Sequence, residues 1–476
     1  MNSYYHFKNF LWYLIPFGFK NFLPLIALPV FTKYISVEEF GLYALAVFYG
    51  TFGAGIANVG LSSVFERNFF EKTPLERKKL LWNILCFVFL LFLVISFLTV
   101  KFNSFISIAI FQSSILAKFL FVGLFFQTFK SLNLYFFIYL KNYENAQKYT
   151  YLSILESILS IGIAMGLVVY FSMGLYGFLI GQTIGVFITF ILAFFSVFFP
   201  FKHKLDIQLL KDQLNLSLPL TPRIFFGVIN SQFDRYMLGI LSSMGGVGLF
   251  DIGQKIANTS FTFMTTVQNV FAPQVYKRLF SKDLVVQRSV GAFLTPFFYL
   301  CILYCLTLAL FSYEIIYILT PEEFHKAAPV VSILCLLYGF YFFGKQPQLL
   351  FAKKTGLIST ISFVSVFLNI GLNFLFIKYF GVIGAAFATL LAGSISTIIS
   401  FYFGQKYTPI QYEKSLFIIL LYFVLIVFAH LLFDYLGFGN LFLMMFKIFS
   451  VLIYLILGRL LSIISISKIK TLLKSI

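Results

Sequence analysis

The run from Leu81 to Val100 reads LWNILCFVFLLFLVISFLTV and contains no charged residue. Twenty residues of α-helix are about 30 Å long, which matches the hydrocarbon thickness of a bilayer. Three further runs have similar length and composition: Tyr176–Phe199, Ile358–Ile377 and Ser415–Phe433. These four runs predict an all-α membrane protein that crosses the bilayer several times.

The composition of the whole chain supports this class. Of the 476 residues, 60% are hydrophobic and only 11% are charged, and the mean hydropathy is +0.94. A soluble protein of this length needs more surface charge. The four cysteines lie inside apolar runs and the four histidines are scattered, so we expect no disulfide framework, no metal site and no cofactor. The first apolar run is long and lacks a small-residue cleavage site, so we expect it to be retained as a membrane span.

Apolar windows separated by polar breaks predict about fourteen spans with short connections. They lie near 10–31, 40–62, 80–100, 116–140, 151–171, 176–199, 214–240, 248–270, 290–318, 329–351, 358–377, 382–402, 415–436 and 441–463. The connections differ in charge: 23 Lys and Arg residues fall on one side of the membrane and 4 on the other. By the positive-inside rule both termini are predicted to be cytoplasmic. This asymmetry explains the net charge of +18 without nucleic acid as a partner.

The chain also contains an internal repeat with an offset of 207 residues. The segment beginning Ser36-VEEF-Gly41 matches Ser243-MGGV-Gly248, and Gly174-LY-Gly177 matches Gly381-VI-Gly384. An offset of six spans preserves orientation, so the two halves are predicted to be parallel, with a pseudo-twofold axis along the membrane normal. The repeat predicts a six-helix lobe at 1–207, a second at 208–414, and two further helices with a basic cytoplasmic tail at 415–476. Two glycine pairs, Gly162–Gly166 and Gly181–Gly185, have the spacing of close helix packing.

Lys20 lies near the middle of the first span, where its amine cannot easily reach either membrane surface. Pro24 cannot donate to the Lys20 carbonyl, so the helix is predicted to bend at the lysine. Two interpretations remain open. Lys20 either presents a positive charge to a ligand in a cavity, or pairs with an internal carboxylate for packing alone.

A second group of ionised side chains lies between Leu214 and Lys255. It consists of Arg223, Asp234, Arg235, Asp251 and Lys255. The spacing of Asp251 and Lys255 is also that of an intrahelical ion pair. For each member, ligand binding and a structural ion-pair network are both open, and Arg223 has the further option of reaching the cytoplasmic surface.

The balance of charge inside the spans favours an anionic ligand. The cations Lys20, Lys118, Lys130, Arg223, Arg235, Lys255, Lys345 and Lys447 outnumber the acids Glu156, Asp234, Asp251 and Glu314. A structural network would tend towards equal numbers, whereas surplus positive charge suits a phosphate or diphosphate. The sequence has no phosphate-binding P-loop and no catalytic triad, so we expect neither ATP-driven transport by this chain nor an enzyme.

Two segments resemble a known family. Thr32-KYISVEEFGLY-Ala44, and Asp234-RYMLG with Val247-GLFDIGQKIA, resemble corresponding segments of Wzx-type flippases for O-antigen and polysaccharide repeat units. These flippases belong to the MOP superfamily together with multidrug exporters of the MATE type and the lipid II flippase. The chain departs from the family at Phe250 and Asp251, where tyrosine and a small residue are usual.

The resemblance implies two lobes around a cationic central cavity, lined by the first, second, seventh and eighth spans, that opens alternately to each side. It implies a flippase that moves oligosaccharides linked to undecaprenyl diphosphate to the outer leaflet of the bacterial cytoplasmic membrane. Lys20, Arg223, Arg235 and Lys255 would bind the substrate, while Asp234, Asp251 and Glu156 would couple an ion gradient or form ion pairs. Besides the lipid-linked oligosaccharide and membrane lipids, a polysaccharide polymerase and a chain-length regulator are expected partners. The alternatives are a drug or metabolite exporter of the same superfamily, and a membrane-embedded polymerase or ligase.

Overall fold

The computed structural model describes residues 3–199, 204–344 and 347–463, without the side chains of some residues in these ranges, such as Arg223. Nineteen α-helices and no strand occur in these ranges, which confirms the all-α class. The helices are α1 Ser3–Tyr34, α2 Val37–Asn58, α3 Leu61–Asn68, α4 Pro74–Lys101, α5 Asn103–Phe111, α6 Ala117–Asn142, α7 Ala146–Val169, α8 Gly174–Phe198, α9 Ile207–Ser217, α10 Thr221–Leu241, α11 Met244–Leu279, α12 Leu284–Arg288, α13 Val290–Leu310, α14 Ser312–Leu319, α15 Ala328–Gly344, α16 Gln348–Phe351, α17 Thr355–Tyr407, α18 Lys414–Tyr435 and α19 Asn440–Leu460.

Within these residues, ten segments are helical, long and apolar enough to cross a membrane. One of them, α17, has 53 residues and is interrupted at Gly381, whose φ of 53° and ψ of −126° are not helical. The interruption divides α17 into two parts that match the eleventh and twelfth predicted spans. Helices α1, α10 and α11, which carry most of the candidate site residues, are not among the ten. The count of fourteen spans therefore stays a prediction.

Helix α1 continues through Pro16, Pro24 and Pro29 from Ser3 to Tyr34. The bend predicted at Lys20 therefore does not interrupt the helix, and its angle stays a prediction. At the next boundary Ser36 and Glu39 form a capping box. The Glu39 amide donates to Ser36 Oγ at 3.3 Å, and the Ser36 amide donates to Glu39 Oε2 at 2.9 Å. This pair satisfies two amides that the first turn of α2 cannot bond internally.

The starts of α2 and α11 make a reciprocal contact. A Cβ atom built on Gly41 would overlap the Met244 carbonyl, and one built on Gly248 would overlap the Val37 carbonyl. Val37 and Met244 are related by the 207-residue offset, and so are Gly41 and Gly248. The contact of Gly41 with Met244 is therefore repeated by their counterparts, Gly248 and Val37. Such a reciprocal contact is the pattern of a twofold axis. This contact supports the internal repeat.

The second glycine pair of the repeat also has a common backbone geometry. Gly174 begins α8 with a φ of 51°, and Gly381 has a φ of 53° where the second part of α17 begins. Side chains rarely tolerate such φ values, so glycine is the residue that fits both positions. The matched glycines thus mark equivalent turns.

The chain divides into two compact units. The first comprises Met1–Asp251 with Leu319–Pro321, and its core is rich in phenylalanine, including Phe65, Phe92 and Phe136. The second comprises Ile252–Ile318 with Glu322–Ile476. The division between the units falls within α11, whereas the predicted lobe boundaries follow the repeat and stay a prediction.

In the second unit, two buried tyrosines join α13 to α19. Tyr299 Oη donates to the Tyr454 carbonyl at 3.2 Å, and Tyr454 Oη donates to the Tyr299 carbonyl at 2.8 Å. Their rings are stacked with centroids 4.6 Å apart. The last of the predicted additional helices is therefore firmly packed in this unit.

Candidate functional site

Lys20 extends from α1 towards α6 and α7. Its Nζ lies 4.0 Å from Glu156 Oε1 and 4.4 Å from the centroid of the Phe137 ring. The lysine side chain is 37% exposed, whereas that of Glu156 is only 10% exposed. The structure therefore brings together two residues that the sequence assigned to different roles. The lysine side chain is therefore the more accessible member of the pair, while the glutamate side chain is enclosed.

Asn133 of α6 holds the Glu156 carboxylate in place. Its Nδ2 donates to Glu156 Oε2 at 2.7 Å and to the Val186 carbonyl at 3.1 Å. Asn133 is buried, and so is Glu156. A buried carboxylate needs a cation or hydrogen-bond donors to offset the loss of water. Glu156 has both, one on each oxygen.

A second cation lies near this pair. Lys130 is close enough to Lys20 to repel it electrostatically, and its Nζ lies 5.6 Å from the centroid of the Phe126 ring. The Lys130 side chain is exposed. The group therefore contains two lysines and one carboxylate, and its net charge is positive. We call Lys20, Lys130, Asn133 and Glu156 the α1/α6/α7 cluster.

Arg235 of α10 makes a buried ion pair with Asp251 of α11. Arg235 Nε donates to Asp251 Oδ1 at 2.8 Å, and the two side chains are 9% and 4% exposed. Arg235 Nη1 also donates to Gln232 Oε1 at 2.7 Å and to the Ser231 carbonyl at 3.3 Å. These bonds enclose the guanidinium in protein contacts. Of the two interpretations of Arg235, the geometry favours the structural ion pair.

The other candidates differ in how far the structure describes them. Asp234 is buried beside Arg235, and Lys255 is half-buried one turn beyond Asp251. The side chain of Arg223 lies outside the described residues. Lys345, an intramembrane cation in the sequence, also lies outside them.

A further ion pair joins α14 to α19 in the second unit. Lys447 Nζ donates to Glu314 Oε1 at 2.6 Å, and the lysine side chain is only 4% exposed. Three of the four intramembrane acids thus pair with a cation from another helix. The structure therefore assigns ion-pair geometry to Glu156, Asp251 and Glu314.

Sequence reasoning missed Asn133 and Phe137, which complete the surroundings of Lys20 and Glu156. Both follow Lys130 on α6, at spacings of three and seven residues. Such spacings place side chains on one face of a helix. Asn133 follows the intramembrane Lys130 by about one helical turn, and this spacing is the sequence signal that could have identified the polar face of α6.

Among the residues that the structure describes, no three His, Cys, Asp or Glu side chains are grouped so that they could hold a metal ion. The expectation that the protein uses no cofactor stays a prediction.

Comparison with known proteins gives the following relationships. The model of the family described as polysaccharide biosynthesis protein matches residues 6–274, which is more than half of the chain. A probable low-salt glycan biosynthesis flippase, Agl15 of Haloferax volcanii, is 26% identical over 194 residues. This match covers 40% of the chain and 41% of the relative, so the chain aligns with about two fifths of that protein's length.

Solved structures show the same fold. The lipid II flippase MurJ, in an inward closed conformation, superposes with a TM-score of 0.72 at 19% identity, over 95% of this chain and 99% of that one. An inward-facing multidrug resistance MATE transporter of the MOP superfamily superposes with a TM-score of 0.58 at 12% identity, over 84% of this chain and 97% of that one. The fold expected from the resemblance is thereby confirmed. With residues 6–274 matching its model, the chain belongs to the polysaccharide biosynthesis protein family.

Proposed function

We propose that this protein is a flippase that moves oligosaccharides linked to undecaprenyl diphosphate from the cytoplasmic to the outer leaflet of the bacterial cytoplasmic membrane. Both termini would be cytoplasmic, as the charge of the connections predicts. The observation that supports this function best is the α1/α6/α7 cluster, in which Lys20 pairs with the buried Glu156 and a second lysine, Lys130, adds a positive charge close to Lys20. A diphosphate would supply the missing negative charge.

The names of the similar proteins support this class of substrate. The matched relative is a probable glycan biosynthesis flippase, and the structure with the TM-score of 0.72 is a lipid II flippase. The family is one of polysaccharide biosynthesis. A polymerase and a chain-length regulator would act on the translocated oligosaccharide and are proposed partners.

The geometry of Glu156 suggests how Lys20 can exchange partners. Charge-assisted hydrogen bonds from an ammonium group to a phosphate are short and strong in a dry site. When Lys20 turns from Glu156 to a diphosphate, Asn133 still donates to the carboxylate. The acid therefore keeps a hydrogen bond during each cycle of binding and release. Arg235 and Asp251 would maintain the shape of the wall, with Lys255 and Arg223 as further phosphate contacts.

The alternating-access cycle follows from this exchange. The cationic cavity would open to the cytoplasm, accept the diphosphate and its oligosaccharide, and then open to the outside. The polyprenyl chain would remain in lipid throughout, because its transfer to water is unfavourable. Asp234, Asp251 or Glu156 would be the acids that couple this cycle to an ion gradient.

A drug exporter of the same superfamily is the second candidate, because a MATE transporter shares the fold. The surplus of intramembrane cations opposes this function for cationic drugs. The same experiment separates the two functions.

The test is to reconstitute three forms of the protein in liposomes and measure translocation of a fluorescent polyprenyl diphosphate disaccharide. The forms are wild type, Lys20→Gln, and the double variant Lys20→Gln/Glu156→Gln. We expect both variants to lose translocation by at least tenfold, because one charge-assisted hydrogen bond is worth about 1.5–3 kcal/mol. If Lys20 only neutralises Glu156, the double variant removes both charges and should transport normally.

Lys118→Gln is the matched control, because this exposed lysine also lies on α6 but precedes Lys130 by twelve residues, or about 18 Å along the helix. It should transport at the wild-type rate. Normal transport by the double variant would refute the role of Lys20. Failure of the wild-type protein to move the probe, together with export of a cationic dye, would refute the flippase itself.

A further inference from the structure

Helix α11 carries a row of polar, uncharged side chains after Lys255. Asn258, Thr262, Thr265 and Thr266 follow at spacings of three or four residues, which places them on one face of the helix. All four are half-buried. No charged residue occurs between Lys255 and Lys277. We call these four residues the α11 polar row.

The opposite face of α11 packs within the second unit. A Cβ atom built on Gly253 would contact the Val330 side chain of α15, and Ser260 Oγ lies 3.6 Å from Cys335 Sγ of α15. Thr262 follows Gly253 by nine residues, or two and a half turns, so their side chains point in opposite directions. Thr262 therefore points away from α15, whereas Asn258, at the edge of the row, is close enough to α15 to bond with Tyr338.

The threonines of this row keep hydrogen-bond acceptors available. The hydroxyls of Thr262 and Thr266 donate to carbonyl oxygens one turn earlier, at 2.7 and 2.8 Å, and that of Thr265 donates to the Thr262 carbonyl at 3.0 Å. A threonine hydroxyl that donates to its own helix still has two lone pairs for another donor. The row thus offers acceptors to a ligand that brings its own hydroxyl protons.

Asn258 adds donors to the same face and does not suit a lipid environment. Its Oδ1 accepts a hydrogen bond from Tyr338 Oη at 2.5 Å, which fixes the orientation of the amide. The Nδ2 group then offers two N–H donors, and an amide in hydrocarbon without partners costs several kcal/mol. A row that contains Asn258 therefore meets water or a polar ligand within the membrane.

The chemistry of the row indicates which ligand it fits. It has no positive charge for an anion and no carboxylate for a cation. It combines fixed amide donors and hydroxyl acceptors with an aromatic cluster, since the Phe261 ring lies 5.5 Å from Tyr338 and 6.0 Å from Tyr341. Neutral molecules with many hydroxyl groups and apolar C–H faces match all of these features. Carbohydrates are such molecules.

We infer that the α11 polar row is the surface that contacts the sugars of the substrate, while Lys255, at its end, lies on the side of the diphosphate. This inference rests on the proposed flippase function and extends it. From Asn258 to Thr266 the row extends about 12 Å along the helix, so it is longer than a single contact. Recognition of sugar and of phosphate would then be separable by mutation.

The experiment compares two probes in detergent: a polyprenyl diphosphate that carries a disaccharide, and the same polyprenyl diphosphate without sugar. We expect the wild-type protein to bind the glycosylated probe at least tenfold more tightly. The triple variant Thr262→Val/Thr265→Val/Thr266→Val should lose about tenfold in affinity for the glycosylated probe, because three acceptors are removed, and should bind the sugar-free probe as wild type does. Threonine to serine at the same positions should restore the preference.

The matched control replaces two threonines that bond to their own helices in the same way. Thr307 donates to the Leu303 carbonyl at 2.8 Å and Thr360 donates to the Gly356 carbonyl at 3.1 Å, and both side chains are exposed. Thr307→Val/Thr360→Val should bind both probes normally. An unchanged preference in the triple variant would overturn the inference, as would equal loss for both probes or a wild-type protein that ignores the sugar. Failure of the wild type to bind either probe would instead count against the proposed function.

Discussion

Lys20 Nζ lies 4.0 Å from Glu156 Oε1, and Arg235 Nε lies 2.8 Å from Asp251 Oδ1. The two ion pairs differ in how far their cations are exposed. The side chain of Lys20 is 37% exposed, whereas that of Arg235 is only 9% exposed. An exposed cation can exchange its partner for a ligand at low cost. A buried one loses several hydrogen bonds when it moves. At the residue scale, we therefore propose Lys20 for substrate binding and Arg235 for structural support.

The support role of Arg235 gives a prediction about stability. Arg235→Leu should lower the free energy of unfolding by about 3–5 kcal/mol, because it leaves the Asp251 carboxylate buried without this cation. The double variant Arg235→Leu/Asp251→Leu should recover most of this loss, since no buried charge remains. Thermal unfolding in detergent, followed by tryptophan or dye fluorescence, measures both effects.

An exposed pair of similar geometry provides the comparison. Lys141 Nζ donates to Glu66 Oε1 at 2.6 Å, and both side chains are nearly half exposed. Lys141→Leu should change the stability by no more than about 1 kcal/mol. If Arg235→Leu unfolds at the wild-type temperature but no longer transports the probe, Arg235 is a substrate contact and the support role is wrong.

The partners of these charges mark the limit of sequence reasoning at this scale. The spacing of Asp251 and Lys255 pointed to a pair within one helix, because only distances along one helix can be read from sequence. Asp251 also accepts a hydrogen bond from Arg235, which lies 16 residues earlier on another helix, and spacing along one helix could not reveal this partner. Likewise, the sequence left Glu156 without an assigned cation. Choosing between distant partners requires the packing of the helices.

At the scale of elements, glycines show where helices approach each other. The repeat identified Gly41 and Gly248 as equivalent. The structure places Gly41 against the Met244 carbonyl, at the start of α11, and Gly248 against the Val37 carbonyl, at the start of α2. The packing motifs within helices were a weaker guide. Gly181 and Gly185 do pack tightly, against Ala164 and Ser160 of α7. Gly162 and Gly166 do not make the predicted close contact with any part of the chain that the structure describes, because a Cβ atom on either meets none of it within 4 Å. Spacing shows that a close approach is possible, and only the neighbouring helix makes it necessary.

The contact between α2 and α11 gives a prediction about assembly. Gly41→Ala should reduce the amount of folded protein severely, because its methyl group would overlap the backbone of Met244, which cannot move aside as a side chain can. Gly248→Ala should have the same effect, since the two positions are equivalent. Size-exclusion chromatography of the solubilised protein measures the folded fraction.

Gly162→Ala is the control for general effects of adding a methyl group to a helix. It should be neutral or slightly stabilising, because alanine is a better helix former than glycine by about 1 kcal/mol. Wild-type yields of Gly41→Ala would show that the helices are not held together at this point, and the reciprocal contact would lose its significance.

At the scale of the whole molecule, the sequence predicted the membrane class and the MOP fold, which rest on long apolar runs and on two family segments. These properties are distributed over hundreds of residues, so single errors do not alter them. The number of spans was harder to establish, because α10 and α11 carry charged and polar side chains that lower their hydropathy. Helices that bind a polar substrate cannot be as apolar as helices that only contact lipid.

Orientation is the remaining property of the whole chain, and single-cysteine labelling tests it. Three of the four native cysteines are buried: Cys301, Cys305 and Cys335. Replacing the fourth, Cys86, by serine keeps the labelling of native thiols low. We expect a membrane-impermeant maleimide to label Ser172→Cys and Phe438→Cys in right-side-out vesicles, because the positive-inside rule places these connections outside. Glu144→Cys and Lys282→Cys should be labelled only in inside-out vesicles, since lysines and arginines are concentrated in their connections. All four positions are exposed, so a failure to react reflects the side of the membrane. The reverse labelling pattern would place the termini outside and would invert the proposed direction of transport. Labelling of Ser172→Cys and Glu144→Cys from the same side would instead contradict α7 as a membrane span.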